Sequence, residues 1–244
     1  MLAFGVHGMS VITAVTAQNS VGVQGVWSLP PGPYGLSSTA SWTTSASTGS
    51  RQGCSGLPRR SSAWRTCWRS SATPFRSSST RSCVSKHGDP LIDIDALASV
   101  RSRLLPPATV LTPNLGEAVR LAQAGDGTSP EQLAQRLLAY GPRWVLVKGG
   151  HGTGDLVDHL AGPDGQIRDF AAGRADNRHT HGTGCTLASA IASRLALGDS
   201  VPDAVSAAKH YVTGAIRAGF PLGAGIGPTD HLLQLREHVR ADGV

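Results

Sequence analysis

The chain has 244 residues, a net charge of +6, 40% hydrophobic residues and four cysteines. That length admits one large α/β domain or two small ones. No apolar run reaches the ~18–20 residues of a membrane span, the start lacks a charged segment running into an apolar one, and the cysteines (54, 67, 83 and 185) fit neither a zinc pattern nor a convincing disulfide set. A cytoplasmic protein without a membrane partner is therefore expected.

The first coherent element is Gly8 to Asn19, a strand running into a polar loop. From Gly32 to Ser82 the chain changes character: Ser, Thr, Arg, Gly and Pro dominate, and Trp42, Trp64, Trp68, Cys54 and Cys67 lie among them. Residues 28–82 hold seven arginines and no acid or lysine, so subtracting those seven from +6 leaves the remainder at −1. A nucleic-acid surface should belong to a folded face, and this excess belongs to one anomalous segment. Nucleic-acid binding is rejected on that ground. Ordinary disorder does not account for the segment either, because disordered chains are poor in Trp and Cys.

The genetic code offers a better account. Ser, Arg, Trp, Cys and Gly are what GC-rich coding DNA yields out of frame; shifted back by one base, each TGG or TGC codon supplies NTG, which encodes Val, Leu or Met. Tyr34 to Gly56, back-translated with permitted codons and reread, allows VRAQLDGVVDDIGVDGVKAGMLG, an amphipathic helix, a turn, and a buried strand ending in a glycine turn. Ser61 to Arg69 allows VVGVADVLA, and Ser79-Thr80-Arg81 allows VDP. The expectation is a pair of compensating indels, near Pro31–Gly32 and Ser82–Cys83. The competing account is a genuine low-complexity insert.

Beyond residue 89 the pattern is orderly. Leu91 to Leu105 has helical spacing and stops at Pro106-Pro107. Ala108 to Thr112 is a short buried strand. Leu115 to Ala124 is a helix with Asn114 as cap and Glu117 three residues on, close to a capping box. Ser129-Pro130 opens another helix, with proline at its first position, running to Ala139 or Tyr140. Trp144 to Gly150 is a continuous apolar strand closing on Lys148 and two glycines, which indicates a parallel sheet covered on both faces. Leu156–Leu160 and Ile167–Phe170 flank Gly162-Pro163-Asp164-Gly165, a hairpin signal. Val201 to Ala218 is the last long helix.

Between them stands His179-Thr180-His181-Gly182-Thr183-Gly184-Cys185, leading into the small apolar helix Thr186 to Ser193. Glycines let the backbone approach a ligand closely, and a helix start adds unpaired N–H groups and the positive end of the dipole. That is an anion hole suited to a phosphoryl group, with Cys185 where a helix N-terminus favours a thiolate. The plain alternative is a glycine turn capping a helix beside a buried cysteine. Asn114 and Glu117 could equally be caps only, Lys148 a solvated charge, and His151, His179 and His181 loop or phosphate-facing residues, since their spacing fits no standard metal pattern. As ligands bind at the carboxyl ends of parallel strands, Asn114, Lys148 and the 182–185 turn are expected to converge at one edge.

With those residues in hand, the chain resembles the hydroxymethylpyrimidine and phosphomethylpyrimidine kinases of thiamine biosynthesis, within the ribokinase-like superfamily. The resemblance rests on Gly8-Met9-Ser10 through Gln18-Asn19, Thr112-Pro113-Asn114 with Glu117, Val145 to His151, and His181-Gly182-Thr183-Gly184-Cys185. It implies one three-layer α/β/α domain over residues 1–244 with a mostly parallel central sheet, native-like over 1–31 and 83–244 and disrupted over 32–82. It implies transfer of the ATP γ-phosphate to a pyrimidine hydroxymethyl or phosphate oxygen, with Mg2+, and leaves room for a homodimer. By resemblance Cys185 is the base or acceptor-aligning group, and Gly182, Thr183 and Gly184 stabilise the transferring phosphoryl. Lys148, Asn114 and Thr180 contact the nucleotide, Glu117 and Asn114 hold hydrated magnesium, and Gln18 binds the pyrimidine. Pyridoxal kinases of the same superfamily are the alternative enzyme, and a non-catalytic product of a damaged gene is the alternative of another class. The family has an N-terminal glycine-rich strand ahead of the position of residue 1, so a truncated start is expected; its GML turn and DPV strand survive only in the hidden frame, so a sheet short of central strands and an unstable or inactive chain are expected.

Overall fold

In the computed structural model, which describes residues 1–8, 14–28, 49–52, 76–79, 97–98, 100–149 and 156–236, the apolar run Trp144–Val147 is buried along its whole length. Two layers cover it. Val145 and Val147 join a cluster with Leu111, Leu121, Leu133 and Leu137. Trp144 and Leu146 join the opposite cluster, with Val110, Leu160, Ile191, Leu195 and Val205. Successive strand residues point to opposite faces, so a strand covered on both sides must be apolar at every position.

A two-stranded antiparallel hairpin, β1 (Ala14–Gln18) with β2 (Val23–Ser28), stands apart from the main sheet. The main sheet contains β3 (Gly49–Gln52), β4 (Arg76–Ser79), β5 (Val110–Leu111), β6 (Trp144–Val147), β7 (Leu156–Ala161) and β8 (Ile167–Ala172), side by side in that order. Strands β3 to β6 run parallel, β7 runs antiparallel to β6, and β8 antiparallel to β7. Helices α1 (Leu115–Ala122) and α2 (Pro130–Leu138) cover one face; α3 (Thr183–Ala196) and α4 (Val201–Arg217) cover the other. This is the three-layer, mostly parallel architecture expected.

Local chemistry sets the helix starts. Ser129 and Gln132 form a reciprocal capping box at α2 with Pro130 in the first turn, and the Ser200 hydroxyl accepts from the Asp203 amide at α4. No helix among the described residues is long and apolar enough to cross a membrane.

Several expectations change. Of the strand and polar loop expected over Gly8 to Asn19, the described residues hold the strand Ala14–Gln18, residues 9–13 lying outside the described residues, and this strand belongs to the separate hairpin. Its partner β2 was not foreseen, for a physical reason. A lone ribbon has no buried face to impose alternation, and Val15, Val26 and Trp27 stay exposed. The helix expected over Leu91 to Leu105 ends in a π-type turn, Val100–Leu104, closed by the Leu105 amide on the Val100 carbonyl at 3.1 Å; residues 91–96 lie outside the described residues.

The anomalous segment needs a correction too. Two short strands come from it, so the backbone of the sheet continues past β5 where strands were expected to be lost. Their residue types are Gly-Ser-Arg-Gln and Arg-Ser-Ser-Ser, whereas buried parallel strands are rich in Val, Ile and Leu. The rest of residues 32–82, with the reread helices, lies outside the described residues.

Candidate active site

Three chain segments meet at the carboxyl ends of β5 and β6. After β5, Asn114 pairs as an isolated parallel bridge with Lys148, the residue after β6, and the Lys148 amide donates to the Pro113 carbonyl at 2.9 Å. The third segment is the start of α3. A Cβ placed on Gly184 would stand 3.5 Å from Lys148 Nζ, so the ammonium lies directly against the first turn of that helix. The expected convergence is present.

The turn into α3 is built by glycine and threonine. Gly182 has φ of 87°, a left-handed conformation that disfavours any residue with a Cβ. The Thr183 hydroxyl donates to the Thr180 carbonyl at 2.8 Å, and the Thr186 hydroxyl donates to the Gly182 carbonyl at 2.8 Å. No side chain caps this helix. The first intrahelical bond recorded there runs from the Thr186 amide to Gly182, which leaves the Gly184 and Cys185 amides outside the ladder. Cation, open amides and the positive end of a 14-residue helix therefore share one spot. An anion is stabilised there by all three.

Cys185 is a free, exposed thiol at the edge of this spot. It borders a cavity of about 230 Å³ lined also by Thr186, Ser189, Tyr211, His231 and the turn Leu2–Phe4.

Asn114 and Glu117 form a complete capping box at α1. The Glu117 amide donates to Asn114 Oδ1 and the Asn114 amide to Glu117 Oε2, each at 2.8 Å. Glu117 is only 3% exposed. Among the described residues no three His, Cys, Asp or Glu side chains gather for a metal ion. Magnesium held by nucleotide phosphates and water, with one nearby carboxylate, still fits such a donor set.

His179 Nδ1 accepts from the Gly227 amide at 3.0 Å, and His181 pairs through its backbone with Gly227 and Thr229, so both histidines shape the loop. His151 lies outside the described residues. Gln18 is exposed at the end of β1. Its hairpin is tied toward the site through Ser20, whose carbonyl accepts from Ile226 at 2.9 Å.

Sequence reasoning missed two groups. His231 Nε2 lies 2.9 Å from Thr186 Oγ1. The same nitrogen lies 3.4 Å from Thr229 Oγ1, so the ring sits between two threonine hydroxyls at the start of α3. The only signal was a polar Thr-Asp-His run in a tail without periodicity. The second group is the pair Asp158 and Lys209, hidden inside a strand and a helix whose apolar periodicity is otherwise regular.

The model of the family described as phosphomethylpyrimidine kinase matches residues 82–230, more than half of the chain. A hydroxymethylpyrimidine/phosphomethylpyrimidine kinase of Streptomyces coelicolor is 52% identical over 237 residues, covering 95% of this chain and 86% of that protein. The chain belongs to the phosphomethylpyrimidine kinase family. It is a phosphotransferase by that membership. Among solved structures, phosphomethylpyrimidine kinase from Clostridium difficile is 30% identical with a TM-score of 0.75, over 88% of this chain and 90% of that one. Pyridoxal kinase from Bacillus subtilis, solved as an ADP complex, is 25% identical with a TM-score of 0.83, over 96% and 90%. The ribokinase-like fold is common to this chain and these two structures, and the higher sequence identity lies with the pyrimidine kinases.

Proposed function

We propose that this chain is an ATP-dependent kinase for 4-amino-5-hydroxymethyl-2-methylpyrimidine or its monophosphate, acting in the cytoplasm in thiamine biosynthesis. One observation carries the reading: the Lys148 ammonium beside Gly184 in the open first turn of α3, with Cys185 next in the chain. In this reading the Gly182, Gly184 and Cys185 amides and Lys148 hold the phosphoryl group during transfer, and catalysis is mostly positioning and electrostatics. Cys185 takes or orients the acceptor hydroxyl proton. Asn114 and Thr180 contact the nucleotide, Gln18 the pyrimidine. Magnesium, when bound, would neutralise phosphate charge, with Glu117 and Asn114 holding it through water.

The same reading treats the chain as one domain whose residues 32–82 are out of frame. The reread string assigns Gly-Val-Lys-Ala to positions 49–52, the span of β3, a pattern better suited to a parallel strand than Gly-Ser-Arg-Gln. Pyridoxal as substrate is favoured only by fold likeness, which does not determine function.

The test is direct. The chain and its frame-restored counterpart are incubated with ATP, magnesium and either hydroxymethylpyrimidine, its monophosphate or pyridoxal, and products are read by mass spectrometry. Phosphorylated pyrimidine is expected from the restored chain; phosphorylation of pyridoxal alone overturns the substrate. One uninterrupted natural frame over codons 28–84 overturns the frameshift.

A further inference from the structure

The Lys148 strand end is fastened from behind by a buried ion pair outside the anion cradle. Lys209, on α4, places its ammonium 2.8 Å from Asp158 Oδ2, 3.0 Å from the Leu156 carbonyl and 2.7 Å from the Phe170 carbonyl. Its three protons are thereby all used. Asp158, on β7, is 7% exposed, and its other oxygen accepts the Gly149 amide at 3.0 Å. Gly149 is the residue after Lys148, and the backbone there is so close to β7 that a Cβ would stand 1.9 Å from the Val157 carbonyl. A path of direct contacts thus runs from Lys209 through Asp158 to the peptide joining Lys148 and Gly149.

We propose that Asp158 and Lys209 are positioning residues that hold the Lys148–Gly149 peptide so that the Lys148 ammonium meets the first turn of α3. The proposal rests on the nucleotide-contacting role proposed for Lys148. The physical argument concerns what each group needs. A buried ion pair is weak evidence for stability, because desolvation offsets much of its attraction. Its geometry is what distinguishes this one: Lys209 cancels the Asp158 charge, which frees the carboxylate to be buried where a backbone amide needs an acceptor. Without that acceptor, Gly149 faces β7 with an unpaired N–H, and the strand end relaxes away from α3.

Two double variants of the full chain separate this role from plain stability. Asp158→Asn with Lys209→Met keeps an acceptor for Gly149; Asp158→Leu with Lys209→Met does not. Both remove both charges and share the loss of the Lys209 donors; the Leu double also leaves the Gly149 N–H unpaired and should melt lower, so binding is compared well below both midpoints. Binding of a fluorescent ATP analogue is measured on the parent, both doubles and Lys148→Met, with exchange of the Gly149 amide followed by NMR. The expected result is that the Asn double stays near the parent in affinity and Gly149 protection. The Leu double should lose protection and bind about tenfold more weakly, the loss appropriate to one misplaced charged contact. Equal affinity in the two doubles, with Lys148→Met weakened, overturns the positioning role alone. A parent that binds no nucleotide, or a Lys148→Met variant that binds like the parent, overturns the reading of Lys148 and this proposal with it.

Discussion

Lys148 Nζ lies 3.5 Å from the point where a Cβ on Gly184 would stand. A strand end and a helix start 36 positions apart therefore close one anion cradle, and its roominess depends on glycine having no side chain.

Gly184→Ala should separate stability from activity. The added methyl makes ordinary van der Waals contact with Lys148, and alanine is the better helix former by roughly 0.8–1 kcal/mol. The thermal midpoint should hold or rise while ATP-analogue binding falls. Unchanged binding would show that the phosphoryl group sits elsewhere.

Cys185→Ala in the frame-restored chain should lower turnover by about 10²–10⁴-fold if the thiol acts in proton transfer, with little change in nucleotide affinity. Steady-state kinetics with the pyrimidine substrate, alongside nucleotide titration, checks this. Unaltered turnover removes Cys185 from that role.

Asn114→Ala should destabilise the chain by about 1 kcal/mol through loss of the α1 cap. Glu117→Gln is more informative, because the amide oxygen can still accept the Asn114 N–H while the charge is gone. A capping role alone predicts an unchanged magnesium requirement. A raised magnesium requirement at equal thermal stability supports the metal reading.

Stability should fall at alkaline pH through Tyr211. Burial pushes its hydroxyl above the usual tyrosine value, and that hydroxyl donates to the His231 carbonyl at 2.8 Å. A raised folded-state value favours the protonated form in the fold. The contribution is therefore complete below the ordinary tyrosine range near pH 10 and is lost as pH climbs through the folded value. Thermal melts between pH 8 and 11 should show this loss, and Tyr211→Phe should flatten it.

Restoring the frame over 32–82 should raise the melting temperature. Each fully buried Val or Leu contributes about 1.5–3 kcal/mol relative to leaving it exposed, and the reread string has apolar residues where the chain has Ser, Arg and Gln. Differential scanning calorimetry of the two chains decides it; an unshifted or lower midpoint for the restored chain counts against the frameshift.

Much of this protein was legible in residue order, because its signals are local. The apolar run at 144–147, the caps at Asn114 and Ser129, and the Pro163–Gly165 turn each depend on neighbours within a few positions. The motif at 182–185 carries its left-handed glycine and open amides in its own backbone. The hairpin partner Val23–Ser28 was not legible, since no core face marks its alternation.

What tertiary structure alone decided is which groups meet. Lys148 against Gly184, His231 beside Thr186, and Asp158 linking Lys209 to the Gly149 amide join residues 36, 45 and 51 positions apart or, for Gly149, nine. No periodicity encodes such contacts, because they arise from the stacking of whole layers. The residues at 179–185 set the chemistry available; the packing of α3 and α4 against β6 and β7 set which charges and amides attend it.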